Sequence, residues 1–183
     1  MDNRQPDLSS LWEQNPEEGS SSQQALFRIV CWAAWSDGDL AAQERDLLAK
    51  VVAGLFPDEA DQLQGEGAVQ ALAEFSLLTP RLESLVEALP SQAERQLAAK
   101  LVYVMLRAHQ HAGDETAVTA EERHAYRRLL EVLKLPEALV EEAERQARSE
   151  LASGISPTVL LQQALRHPMT AEDAPPSSSP LAL

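Results

Sequence analysis

Apolar residues recur every three to four positions through most of this chain, and no stretch shows the strict alternation of a half-buried strand. That period restricts the fold to packed helices. From Gln23 to Ser36, Leu26, Ile29, Val30 and Ala33 form one stripe, and Phe27, Cys31 and Ala34 widen it. A helix there is central and buried on most sides. A second helix, from about Ala42 to Phe56, carries Leu47, Leu48, Val51, Val52 and Leu55 and stops at Pro57. Val69, Leu72, Ala73 and Phe75 follow a looser stretch holding Gly65 and Gly67, and Pro80 breaks the period. Leu82, Leu85, Val86 and Leu89 resume it.

Helix starts are marked by chemistry as well as by period. Ser91-Gln-Ala-Glu94 and Thr119-Ala-Glu-Glu122 are capping boxes, in which each end of the motif satisfies a backbone donor. The first opens a helix with Leu97, Leu101, Val104, Met105 and Ala108, the second one with Tyr126, Leu129, Leu130 and Leu133. Two more helices are predicted at Glu137–Ala152 and Pro157–Arg166, the latter started by Ser156 with Pro157 at its first position. Leu and Ala dominate the apolar residues, and both lose little on entering a helix. The expectation is an all-α, single helical bundle of about seven or eight helices. A chain of 183 residues suits one hydrophobic core. Residues 1–20 are polar and read as a disordered segment, with Leu8, Leu11 and Trp12 either docking back or forming a short recognition helix. Residues 21–167 form the domain, and residues 168–183 read as a low-complexity tail.

The formal net charge of -14 disfavours nucleic acid and anionic membrane surfaces as partners. It favours divalent cations and basic proteins. Cys31 is the only cysteine and has no intramolecular disulfide partner. The start lacks an apolar signal region, and no apolar run has the length of a membrane span, so direct membrane insertion is not expected and a cytoplasmic location is.

The chain also repeats itself. An apolar helix ending Ala33-Ala34-Trp35-Ser36 runs through Asp37-Gly38-Asp39-Leu40-Ala41-Ala42-Gln43-Glu44 into an amphipathic helix. A second apolar helix, ending Ala108-His109-Gln110-His111-Ala112-Gly113, runs through Asp114-Glu115-Thr116-Ala117-Val118-Thr119-Ala120-Glu121-Glu122 into another. Leu40 lies four residues before Glu44, and Val118 four before Glu122. The second turn is longer, and Gly113-Asp114-Glu115 stands where the first has Asp-Gly.

An Ala-rich helix followed by Asp-Gly-x-apolar and a Glu at the next helix start resembles the tellurite-resistance TerB family, and the related domain of DjlA-type co-chaperones. The resemblance covers roughly residues 23–135. It implies an all-helical fold with two pseudo-symmetric helix-turn-helix units. It implies acidic residues from both turns that bind metal cations, and a link to stress responses that include tellurite resistance. On this sequence those residues are Asp37, Asp39 and Glu44 from the first unit and Asp114, Glu115 and Glu122 from the second. All-oxygen ligation suits calcium, magnesium or manganese.

The plainer reading of the same residues is capping, since a Glu at the third helical position satisfies a backbone donor and the helix dipole, and Asp-Gly is an ordinary turn former. An EF-hand is excluded by Ala41 and the missing closing pattern. His109 and His111 are two apart and point in different directions on a helix, whereas Glu121 and His124 share a face and read as surface residues. Met169 after His167-Pro168 removes a J-domain motif. Cys31, Trp32 and Trp35 read as packing residues, with Trp35 beside the first acidic turn. No phosphate loop, metalloprotease motif or nucleophile elbow occurs. The chain therefore reads as a non-enzymatic TerB-like domain with a basic or membrane-associated protein partner. The alternative is a metal-free protein–protein interaction module with an acidic surface.

Overall fold

The computed structural model describes Leu8, Leu11, and residues 21–36, 42–57, 71–72, 74–75, 81–108 and 119–166. Seven helices are described along their whole length: α1 (Ser21–Ala34), α2 (Ala42–Leu55), α3 (Leu82–Glu87), α4 (Gln92–Arg107), α5 (Ala120–Leu133), α6 (Glu137–Ala152) and α7 (Pro157–Arg166). No strand occurs among the described residues. The all-α expectation holds, and α6 and α7 have the predicted bounds. α1 begins two residues earlier than the pattern implies and ends before Trp35, where the chain tightens as Ser36 N–H donates to Ala33 O at 3.2 Å. Ala71, Leu72, Glu74 and Phe75 are helical, as the Val69–Phe75 period implies, while Val69 and Ala73 lie outside the described residues.

α1 and α4 pack against each other at the centre of the bundle. Ten residues of α1 are buried, including Leu26, Phe27, Ile29 and Val30. Each such large apolar side chain contributes about 1.5–3 kcal/mol relative to exposure. Two buried polar residues in the first turn of α1 are satisfied across the bundle: Ser22 Oγ donates to Ala88 O at 3.3 Å, and Gln23 Nε2 to Arg166 O at 3.1 Å. Phe27 meets Phe75 at 5.6 Å between ring centroids, and the Arg28 guanidinium lies 4.0 Å over the Phe75 ring.

α4 also touches α5, α6 and α7. α6 lies close along it because Ala143 and Ala147, both fully buried, present little bulk. A polar cluster fixes the α4–α5–α6 junction. Arg107 Nη2 and Arg148 Nη1 donate to Tyr103 Oη at 2.9 and 3.3 Å, and Tyr126 Oη donates to Glu144 Oε1 at 3.1 Å. Burial and the neighbouring Glu144 carboxylate both push the Tyr126 hydroxyl pKa up. α2 packs chiefly against α7. Gln162 Nε2 donates to Lys50 O at 2.8 Å, and Arg166 Nη2 donates to Gly54 O. A Cβ at Gly54 would meet the Gln162 side chain, which would have to shift.

Leu8 and Leu11 are helical and sit in the core, 0% and 6% exposed. Leu8 and Leu11 are therefore both docked on the domain and helical, which combines the two possibilities for these residues. Trp12 and residues 168–183 lie outside the described residues. Among the described residues, no helix is long and apolar enough to cross a membrane.

Candidate functional site

Of the six acidic residues singled out by the two turns, Glu44 and Glu122 fall within the described structure; Asp37, Asp39, Asp114 and Glu115 lie outside it. Glu44 and Glu122 occupy the same position in their helices, the third residue of α2 and of α5. Both are buried, at 3% and 7% exposure, although carboxylates are seldom buried without a partner.

The surroundings of Glu122 are clear. Its Oε2 accepts from the Thr119 backbone N–H at 2.6 Å, and its own N–H donates to Thr119 Oγ1 at 3.1 Å. The capping box is complete, so one carboxylate oxygen is committed to the backbone. The same arrangement recurs at α4, where Ser91 N–H donates to Glu94 Oε2 at 2.8 Å and Glu94 N–H to Ser91 Oγ at 3.1 Å. Burial alone raises the Glu94 carboxyl pKa, but hydrogen bonds from the Ser22 hydroxyl and from Ser91 outweigh it and hold it below its ordinary value. Among the described residues, no three His, Cys, Asp or Glu side chains are grouped to hold a metal ion.

His109, His111 and His167 lie outside the described residues. Cys31 is fully buried in α1, and burial pushes its thiol pKa well up against the weaker pull of Arg28. It is therefore held as a neutral thiol rather than a thiolate nucleophile.

A cavity of about 760 Å³ separates the C-terminal end of α1 from the first turns of α5. Trp32, Trp35 and Ser36 form one wall, and Glu121, His124 and Arg128 form the other. Ala120 and Ala125 also line it, and their small side chains leave the space open. Ser36 is the last residue before the first acidic turn, and Ala120 follows directly on the cap of the second. Arg128 is ion-paired to Glu83 of α3. The Glu83 carboxyl pKa is lowered, chiefly by its own backbone N–H, and Arg128 adds to this against the opposing effect of burial. The sequence pattern had placed Glu121 and His124 on one helix face but had not joined them to Trp32 and Trp35. The signal was present in the spacing, since Glu121, His124 and Arg128 recur at three and then four residues along α5.

The fold and this cavity define the class no further than an all-helical bundle with an open cleft between two of its helices. No family model matches the chain, and no curated protein or solved structure shows significant similarity to it.

Proposed function

We propose that this chain is a non-enzymatic, TerB-like domain that binds a divalent cation, calcium, magnesium or manganese, through its two acidic turns and serves a stress response such as tellurite resistance. In this reading α1–α2 and α4–α5 are pseudo-symmetric helix-turn-helix units, and the partner is a basic or membrane-associated protein in the cytoplasm. The observation that carries the reading is the matched burial of Glu44 and Glu122, each the third residue of the helix that follows an acidic turn. Carboxylates withdrawn from water in a chain of net charge -14 are stabilised by a hard cation. The cap at Glu122 uses one carboxylate oxygen and leaves the other for ligation.

The test is titration with calcium, magnesium, manganese and zinc, followed by tryptophan fluorescence and thermal stability. The expected result is a saturable response at millimolar or lower cation that Asp37→Asn with Glu44→Gln abolishes. Glu122→Gln separates the two roles of that residue, because glutamine still completes a capping box while losing the charge a cation requires. Absence of any response to all four cations contradicts the reading.

The open cavity favours a second reading, a metal-free interaction module. Its two half-buried tryptophans are the kind of side chain that anchors protein interfaces.

A further inference from the structure

We propose that the cavity between the end of α1 and the start of α5 is a recognition site for a basic side chain, arginine or lysine, presented by a partner protein. The site requires no metal, so it stands or falls separately from the cation reading. It supplies the interaction-module reading with a place and a ligand chemistry.

The first argument is the concentration of uncommitted polar groups. Among the described residues, the Trp32 and Trp35 indoles, the Glu121 carboxylate and the His124 imidazole make no hydrogen bond or ion pair, and Ser36 Oγ is buried without a partner. Elsewhere among the described residues Tyr126 pairs with Glu144 and Lys100 with Glu150 Oε1, and Glu150 Oε2 is the other buried side-chain atom without a partner. Buried polar atoms are normally satisfied, so an orphaned hydroxyl beside four uncommitted side chains marks a place completed by a ligand. The volume of about 760 Å³ falls in the ordinary range for such sites.

The second argument is the sign of the charge. Among the described residues of the wall, the arginine is Arg128, and Glu83 balances it. Among the described residues of the wall, the Glu121 carboxylate is then the acidic group without an ion-pair partner, within a chain of net charge -14. An anionic ligand meets both the local carboxylate and the field of the whole surface. A purely apolar ligand leaves Ser36 Oγ without a partner. A guanidinium or ammonium group uses four of these five groups: the two indoles attract it through the ring quadrupole, Glu121 pairs with it, and Ser36 Oγ accepts from it. The cavity is larger than one such side chain, which leaves room for flanking residues of a peptide segment.

The experiment uses the full chain in EDTA, which removes any contribution of divalent cations. The probe is acetyl-Gly-Arg-Gly-Arg-Gly-amide, measured by calorimetry and tryptophan fluorescence, with the acidic peptide acetyl-Gly-Glu-Gly-Glu-Gly-amide as counterpart. The expected result is saturable binding of the arginine peptide that weakens about tenfold in Glu121→Gln. A similar loss is expected in Trp35→Leu. Glu141→Gln, which removes an exposed carboxylate of α6 that does not line the cavity, leaves binding unchanged. Glu121 is exposed, so its glutamine variant retains the fold and keeps the test valid if Trp35→Leu does not. Equal weakening by Glu121→Gln and Glu141→Gln overturns the proposal, because it shows attraction to the acidic surface at large. Undiminished binding in Glu121→Gln, or tighter binding of the acidic peptide, overturns it as well.

Discussion

The helix that follows the second acidic turn, α5, is stabilised at its own start, whereas the helix that follows the first, α2, is held by a helix 112 residues further along the chain. In α5 the Thr119–Glu122 box satisfies two backbone donors within four residues of sequence. In α2 the tertiary hold comes from α7, whose Gln162 and Arg166 donate to carbonyls of Lys50 and Gly54. Both helices bury a glutamate as their third residue. The same local pattern is thus placed in two settings, a capping box at the start of α5 and the packing of α7 along α2. Capping is a property of a short sequence and tolerates loss of distant elements, while packing depends on the helix that provides it.

Four variants break or sharpen this contrast. The largest effect is expected from Leu161→Ala in α7, where a fully buried side chain is lost. Stability falls by about 2–5 kcal/mol. In amide exchange α2 loses protection before the α4–α6 pair, because α7 is its chief neighbour. The double variant Gln162→Ala, Arg166→Ala removes two exposed donors from the end of α2 and costs about 1–2 kcal/mol in chemical denaturation. Its exchange signature is confined to α2 and α7. Thr119→Ala deletes the cap of α5 and costs about 1 kcal/mol, read as fraying at residues 120–123 with α2 untouched. Glu122→Gln keeps the box, loses the favourable charge at the helix start and costs about 0.5 kcal/mol.

The smallest effect concerns pH. The Glu94 carboxyl is held below its ordinary value of 4.5, so the folded state binds its proton less readily than the unfolded chain does. The stability it contributes is complete above the unfolded value and is lost as pH falls through the lower, folded one. Denaturation of Glu94→Gln between neutral and acid pH checks this, since that variant keeps the capping box and lacks this share of the acid sensitivity.

Much of the fold was legible because helices carry their signals locally. The period of Leu97, Leu101, Val104 and Met105 marks the buried face of α4, and the Ser91 and Thr119 boxes fix where α4 and α5 begin. Ser156 and Pro157 do the same for α7, where Val159 N–H donates to Ser156 Oγ at 3.3 Å. Which helix covers which is not written in any period. Nothing in Lys50 or Gly54 points to Gln162 or Arg166, because a backbone carbonyl has a second lone pair that accepts any donor that arrives. The candidate site divides the same way. The placement of Glu44 and Glu122 at helix starts was readable from the turns before them, while their burial depends on neighbours that sequence spacing does not name. Arg128 carries no motif of its own, and its position opposite Trp32 and Trp35 makes it part of a cavity wall.

The two glutamates join this contrast to the proposed function, and amide hydrogen exchange at their helix starts tests both together. The exchange of residues 42–46 and 120–124 is measured in EDTA and then with saturating calcium, magnesium or manganese. The account predicts that at least one of these cations slows exchange at both helix starts, with the larger gain at α2. It also predicts that Asp37→Asn with Glu44→Gln removes the effect. Exchange rates unchanged at both starts by every cation contradict it.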